Sequence, residues 1–148
     1  MANVHHMTEK YGGKQGNFSE QLEGFAEYAK EMADQIFRSV VIQIGSSVIN
    51  LTPVDTGRAL ANWQFSINST SNASLDETDQ MGDKTLARFV KEVGALTYGQ
   101  TAYVYNNLIY SVPLEYGHSR QAPSGMLRVT MARFKQIVEQ AVREVADQ

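Results

Sequence analysis

The sequence has no cysteine, only three prolines and three histidines, and no long apolar run. Without cysteine the chain forms no disulfide, carries no thiolate nucleophile and offers no sulfur ligand to zinc. No apolar run reaches the length of about 20 residues that a transmembrane helix needs. Residues 1–17 also lack the apolar core of a signal peptide. These absences predict a soluble protein made in a reducing compartment.

In other respects the composition is that of an ordinary globular protein. Of the 148 residues, 43% are hydrophobic and 20% are charged, close to the average for folded chains. This length predicts one domain with a substantial core. Thirteen basic side chains against sixteen acidic ones leave a formal net charge of −3. Proteins that hold nucleic acid by its phosphates usually carry the opposite balance.

The chain divides into two parts of different character. Residues 1–17 are polar, contain three glycines and lack periodicity, so we expect them to form a flexible arm. Residues 18–148 carry the periodic apolar pattern and are predicted to form a single domain. We expect this domain to be α+β, with a small antiparallel sheet packed against a long N-terminal helix and a C-terminal helix.

The long helix is predicted over residues 19–50. Apolar residues recur there at the 3.6-residue period for some eight turns, and Pro53 ends the pattern. A straight helix of this length measures roughly 48 Å, whereas a compact chain of this size is only ~38 Å across. The helix must therefore bend, with residues 45–47 as the expected place, or project from the body and pack on a neighbour.

The remaining elements follow from local patterns. Strict alternation over residues 62–68 predicts a strand with Trp63, Phe65 and Ile67 on one face. A second strand is predicted over residues 101–107, and one helical turn or irregular structure over residues 110–116. Helical spacing predicts a short helix over residues 83–93, and a last helix from Ser124, as its cap, to Ala146. Residues 69–83, which are polar and acidic, are expected to form a long loop or mobile hairpin tip.

Residue types suited to catalysis do not form a convincing group. His5 and His6 are adjacent on the arm, where they cannot share a metal from one helix face. Asp55, Glu115 and His118 would suit acid–base chemistry, but no catalytic sequence motif accompanies them. We therefore predict that the protein is not an enzyme and has no catalytic, cofactor or metal site.

Nucleic-acid binding is an alternative from a different functional class, together with a small hydrolytic activity. Tyr103 and Tyr105 precede a mildly basic C-terminal segment, and aromatic side chains beside basic ones are typical of single-strand binders. Acidic residues dilute that segment, and alternating tyrosines suit a sheet face equally well.

An acidic stripe on the long helix is a candidate subunit interface. Five carboxylates fall within roughly 80° of arc, opposite the apolar stripe: Glu20, Glu23, Glu27, Glu31 and Asp34. A solvated face is the simplest interpretation. A basic face on an adjacent subunit, or a wall that repels DNA, would also explain the stripe. Arg120 and Arg128 are the basic residues that we assign to the same interface.

Three stretches resemble the tail-component family of tailed bacteriophages, which includes the tail-completion proteins of the head–tail neck. They are residues 52–63 (TPVDTGRALANW), residues 105–110 with 114–119 (YNNLIY and LEYGHS), and residues 121–128 (QAPSGMLR). Their order and spacing cover residues 19–146. The motif residues are Pro53, Asp55, Thr56, Gly57, Arg58, Trp63, Asn106, Asn107, Glu115, Gly117, Pro123 and Gly125.

The resemblance implies a structural virion protein rather than an enzyme. Members of the family are thought to form a ring, commonly sixfold, between the head connector or stopper and the tail tube or tail terminator. DNA passes through this ring without sequence-specific binding. The expected location is the neck of the virion, assembled in the cytoplasm of the host bacterium. A tail terminator that caps tube polymerisation is the alternative within the same class.

The motifs also have a physical interpretation. Pro53 ends the long helix, and Asp55 and Thr56 are suited to side-chain turn bonds. Gly57 permits a positive φ angle. We expect Arg58 to pair with Glu115 and so to fix the fold, and Arg120 to reach outward from the loop between Gly117 and Gly125.

Overall fold

The computed structural model describes residues 18–108, 111–117, 121 and 125–147. The predicted arm, residues 1–17, lies outside these residues. The elements within them are α1 (Phe18–Leu51), α2 (Arg58–Ala61), β1 (Trp63–Ile67), α3 (Asp83–Val93), β2 (Ala102–Asn106), α4 (Ser111–Glu115), α5 (Leu127–Ala132) and α6 (Phe134–Ala146). The predicted α+β class is confirmed, since a small sheet packs with a long N-terminal and a C-terminal helix.

The sheet consists of β1 and β2, paired antiparallel with Trp63 opposite Asn106 and Ile67 opposite Ala102. The alternation of β1 has the predicted outcome: Trp63 and Phe65 are buried, and Ile67 lies half-buried on the same face. This inner face packs on the helices. The opposite, outer face carries the polar residues of β1 and the tyrosines of β2.

The core consists of two adjacent clusters that share β1. The first contains Val48, Ile49, Leu60, Trp63 and Met126. The second contains Val41, Phe65, Phe89, Val93 and Leu96. Both clusters contain buried side chains of α1, and all of these come from the C-terminal half of that helix.

Gly45 lies at the closest approach of α1 and α3. A Cβ atom at this position would run into the ring of Phe89, which is 1% exposed. The helix continues through residues 45–47, where we had expected a bend. The glycine there allows an aromatic ring to pack directly on the helix backbone.

The predicted last helix is divided in two, and this expectation was wrong in detail. Arg133 separates α5 from α6 with a non-helical φ of −95° and ψ of 4°. Thr130 is buried just before the break; its hydroxyl donates to the carbonyl of Met126 (2.8 Å) and lies 2.7 Å from the Ser47 hydroxyl of α1. A threonine that bonds its own preceding turn is known to bend helices. The break lets α5 keep this bond while α6 packs along α1.

The N-terminal half of α1 extends beyond the body, which is the first part of the second predicted outcome; packing on a neighbour stays a prediction. Residues 18–33, which we call the overhang, contain no buried position among the residues the structure describes. Phe18 is 75% exposed and Leu22 is 47% exposed. The buried positions of α1 are Val41, Gly45, Val48 and Ile49. A 34-residue helix is about 51 Å long at 1.5 Å per residue, longer than the ~38 Å expected across a compact chain of this size.

Candidate assembly surface

The first and third motif stretches meet around Trp63. The indole Nε1 donates to the Thr52 hydroxyl (2.7 Å), and that hydroxyl donates to the Val48 carbonyl at the end of α1 (2.5 Å). The ring packs in the same cluster as Met126 of the third stretch. Trp63 therefore ties the end of α1 to the start of α5.

The turn of the first stretch is built around Gly57, as predicted. Its φ is 86°, and a Cβ there would lie 2.6 Å from the carbonyl carbon of Asp79. The Gly57 carbonyl accepts from the Asp79 amide at 3.0 Å. Thr56 makes the expected turn bond, since its hydroxyl accepts from the Arg58 amide at 3.3 Å. α1 ends two residues before Pro53, which is buried.

Asp55 and Arg58 do not act as predicted. The Asp55 carboxylate makes no turn bond within the described residues, and the Asp55 carbonyl accepts instead from Gln80 at 3.4 Å. No ion pair joins Arg58 to Glu115, both of which the structure describes. Arg58 is exposed, so an ion pair would require its long side chain to be ordered for little gain.

Glu115 instead caps α5. Its two carboxylate oxygens accept from the amides of Met126 (2.5 Å), Leu127 (3.1 Å) and Arg128 (2.9 Å). These amides lie at the start of α5, where backbone donors have no partner within the helix. The Arg128 guanidinium donates back to the Glu115 carbonyl and lies 5.3 Å from the centre of the Tyr116 ring. The second and third motif stretches are thereby locked together.

Gly125 is required by this cap. Its φ is 83°, and a Cβ there would collide with the Glu115 carbonyl and carboxylate. Gln121 joins the same region to the first stretch: its side-chain oxygen accepts from the Val54 amide at 2.9 Å, and its nitrogen donates to the Val54 carbonyl at 3.4 Å. All three stretches are therefore joined by direct contacts. Gly117 also has a positive φ, 82°.

The two asparagines of the second stretch have separate structural roles. The Asn106 side chain donates to the Ala59 carbonyl of α2 at 2.8 Å. The Asn107 side chain donates to the carbonyls of Ser71 (2.7 Å) and Ala73 (2.8 Å). Residues 69–76 thus lie on the outer face of the sheet, held by side chains. The predicted loop is irregular as expected, but it is attached rather than a free tip.

Asp79 is a structural residue that the sequence analysis missed. It is 8% exposed, and its carboxylate accepts from the Gly82 amide (3.0 Å) and from the Thr85 amide and hydroxyl (2.9 and 2.8 Å). Burial on its own raises the pKa of this carboxyl. The hydrogen bonds outweigh burial and hold the pKa below the ordinary value of an aspartate. The only feature of the sequence that could have indicated this role is the position of an acidic residue shortly before a predicted helix.

Arg88 was also missed. It donates to the carbonyls of Ala61 (3.2 Å) and Trp63 (2.5 Å), so it covers the outer edge of β1 at its start. It also forms ion pairs with Glu77 (3.6 Å) and Glu92 (3.5 Å). The spacing of Arg88 and Glu92 fits a helical pair, but the contact with β1 depends on the tertiary fold.

The acidic stripe lies on the overhang. Glu20, Glu23, Glu27 and Glu31 are exposed, whereas Asp34 is half-buried and accepts from the Tyr98 amide at 2.7 Å. At 3.6 residues per turn the stripe falls on the same side of α1 as the buried residues of its second half. One side of the helix is therefore acidic in the overhang and apolar in the body.

The opposite side of α1 is apolar along most of its length. Phe18, Leu22 and Ala29 of the overhang align with Ile36 and Val40 further along the helix. This apolar stripe is exposed in the overhang and leads without interruption into a concave surface on the body. Of the apolar residues that recur at the helical period, only Val48 is buried. The other members are Leu22, Phe25, Ala26, Ala29, Met32, Ala33, Ile36, Phe37, Val40 and Ile44.

That concave surface, the groove, encloses about 710 Å³ between α1, β2 and α6. Its walls are almost entirely apolar. They include Ile36, Val40 and Ile44 of α1, Ala102 and Val104 of β2, and Phe134 and Val138 of α6. Phe134 is 42% exposed. The overhang and the groove together form one apolar surface on a single chain.

Within the described residues, no three aspartate or glutamate side chains form a group placed to hold a metal ion, and no helix combines the length and apolarity of a bilayer span. The Tyr105 hydroxyl, on the outer sheet face, accepts from the Ser71 amide at 3.3 Å. His5, His6, His118, Arg120, Pro123 and Ser124 lie outside the residues described.

No protein-family model, curated protein or solved structure matches this chain.

Proposed function

We propose that this protein is a subunit of the head–tail neck of a tailed bacteriophage. It acts there as a tail-completion protein that joins the head connector or stopper to the tail tube or tail terminator. Copies of the chain form a closed ring, most simply a hexamer, and DNA passes through the ring. The protein is not an enzyme, and its place is in the virion, after assembly in the host cytoplasm.

The resemblance of the three motif stretches supports the phage assignment. Those stretches are distant in the sequence, yet contacts of Trp63, Glu115 and Gln121 bring them together. Their residues serve the packing and capping of the fold. This agrees with a family whose shared motifs preserve a structure rather than a reaction centre.

The exposed apolar overhang is the observation that carries the proposal of assembly. Burying a Leu or Phe side chain stabilises a protein by roughly 1.5–3 kcal/mol, and the overhang leaves Phe18 and Leu22 largely exposed. An amphipathic helix that extends from a small domain beside an apolar groove is suited to association with other chains. In a closed ring, contacts between neighbours bury such surfaces on every copy.

The charge of the chain supports passage of DNA without tight binding. The formal net charge is −3, and the exposed acidic stripe adds a local concentration of negative charge. An acidic wall repels phosphates and so lets DNA slide. We expect only weak binding of the ring to DNA at physiological salt, in contrast to the salt-sensitive binding of a basic protein.

In vitro complementation tests the proposal. An extract of cells infected by the encoding phage with this gene disrupted should contain filled heads and finished tails that remain unjoined. Adding the purified protein should restore infectious particles. Joined particles without the protein would contradict the assignment. Tails of irregular, excessive length in the disrupted extract would identify the tail terminator instead.

A further inference from the structure

We propose that the overhang of one copy occupies the groove of the next copy. The inference rests on the proposed ring, because it assigns the surfaces that join one subunit to its neighbour. The two surfaces are the apolar side of residues 18–33 and the apolar wall formed by α1, β2 and α6. The acidic side of the overhang then faces away from the joint.

The shape of the groove suits a helix. α6 packs on α1, and Ala102 and Val104 of β2 pack against the second core cluster. The space between α6 and β2 is left open, bounded by Phe134 and Val138 on one side and Val104 on the other. The overhang presents Phe18 and Leu22, which are 75% and 47% exposed, at the i, i+4 spacing by which an amphipathic helix enters an apolar groove. Large side chains thus meet a concave surface of matching polarity.

The charges around the two surfaces are complementary. Residues 18–33 contain four glutamates and one lysine, whereas residues 125–138, which include the α6 wall of the groove, contain Arg128, Arg133 and Lys135 and no acid. Arg133 and Lys135 are exposed on either side of Phe134. The opposite net charges of the two segments attract at long range and so speed association, although the glutamates themselves face away from the groove.

The occupant must be a second copy rather than the chain's own overhang. Phe18 lies 22 residues before Val40 on one continuous helix, which is a separation of roughly 33 Å along the axis. The overhang therefore points away from its own groove. Because the two surfaces differ, the contact runs head to tail and generates a ring when the rotation closes.

Disulfide trapping tests the joint directly, because the native chain has no cysteine. The test variant carries Leu22→Cys and Val138→Cys, and a disulfide requires their Cα atoms to approach within about 7 Å. The matched control carries Glu27→Cys with Val138→Cys, which places the thiol on the acidic side of the same overhang. After oxidation, the test variant should give a ladder of covalent species up to the full ring, and the control should remain largely monomeric.

The outcomes distinguish the proposed overhang–groove contact, the joint, from the proposed ring. A native ring whose test variant gives no more cross-linking than the control contradicts the joint and leaves the proposed function intact. Efficient cross-linking that stops at a dimer supports the contact but contradicts the ring, because two copies would then pair reciprocally. A chain that remains monomeric and uncross-linked at micromolar concentration contradicts both.

A second variant pair guards against effects of the introduced thiols. Leu22→Asp should weaken association by about 30-fold or more, as expected for the loss of one buried Leu side chain. Glu27→Gln should change association by less than about threefold. Equal thermal midpoints of the two variants at a concentration where both are monomeric are expected, since neither position is buried. Wild-type association of Leu22→Asp would overturn the proposal.

Discussion

The two halves of α1 share one helix and one apolar period but have opposite environments. The second half contributes Val48 and Ile49 to the core, and Gly45 lies against the ring of Phe89. The first half contains no buried position among the residues described, and it carries carboxylates on the side that is buried further along. Periodicity therefore identifies a helix with an apolar side, while the surrounding chain decides which side is covered and over what length.

The most direct way to test this contrast is to truncate one apolar side chain in each half. Ile49→Ala, at a position 1% exposed, should reduce the free energy of unfolding by about 2–5 kcal/mol, because it removes buried surface and leaves a cavity. Leu22→Ala, at a position 47% exposed, should reduce it by less than about 0.5 kcal/mol. Urea denaturation of dilute protein measures both values. Similar losses for the two variants would remove the distinction between the halves.

Asp79 anchors the part of the body on which the second half of α1 packs. Asp79→Asn should destabilise the protein by about 1.5–3 kcal/mol at neutral pH, since the carboxylate accepts three hydrogen bonds. The unfolded pKa of an aspartate is about 3.9, and the folded pKa of Asp79 is lower. The stabilisation is therefore complete above about pH 4 and is lost as the pH falls through the folded value.

A pH series of chemical denaturation checks this linkage. The difference in stability between wild type and Asp79→Asn should be constant from pH 5 to pH 7 and should shrink in more acidic solution. A difference that grows on acidification would contradict the sign of the shift. The overhang variant Leu22→Ala should show no such dependence, so it serves as the control.

The turn after α1 should also be sensitive to substitution. Gly57→Ala forces a side chain into a positive φ of 86° and against the Asp79 backbone, so we expect a loss of about 1–3 kcal/mol. Gly99→Ala is the matched control: its φ is 100°, but a Cβ there meets nothing within 4 Å. The difference between the two variants in thermal unfolding isolates the contact with Asp79. Equal losses would show that backbone strain alone matters.

The cap of α5 gives a smaller contrast between two motif residues. Glu115→Ala should cost about 1–2 kcal/mol, because three amides lose their acceptor. Arg58→Ala should change stability by less than about 0.5 kcal/mol, since the side chain is exposed and unpaired with Glu115. Guanidinium denaturation measures the two costs. A loss of stability well above this limit for Arg58→Ala would support the Arg58–Glu115 ion pair that the sequence predicts.

The smallest expected effect on stability comes from the acidic stripe. Neutralising Glu23, Glu27 and Glu31 together with glutamine should raise the stability of the isolated chain by a few tenths of a kcal/mol, because like charges at helical spacing repel. The same change should weaken the salt dependence of association between copies. Sedimentation at two ionic strengths measures this. An unchanged salt dependence would contradict a role of the stripe in assembly.

Much of the fold was predictable because its signals are local. The alternation around Trp63 identified β1 and its buried face, the spacing of Phe89 and Val93 identified α3, and Gly57 indicated a turn with positive φ. Each of these patterns depends on a few neighbouring residues. Such local patterns predict the fold correctly when the rest of the chain buries the apolar side that they identify.

The rest depended on contacts between distant residues. Glu115 caps a helix that begins twelve residues later, and Arg88 reaches the Trp63 carbonyl of β1, which no local pattern reveals. The break at Arg133 follows a bond between Thr130 and Ser47 of another helix. The length of α1 predicted that the helix would bend or project, but not which part of its apolar stripe would be exposed, since burial depends on contacts with the rest of the fold.

Native mass spectrometry of the wild type and of the double variant Phe18→Asp/Leu22→Asp tests the central claim most directly. At micromolar concentration the wild type should give a closed ring, expected to contain six copies of the 16.5 kDa chain. The variant should give monomer with an unchanged circular dichroism spectrum. A wild type that stays monomeric at every concentration, or a variant that forms the same ring as the wild type, would contradict the account.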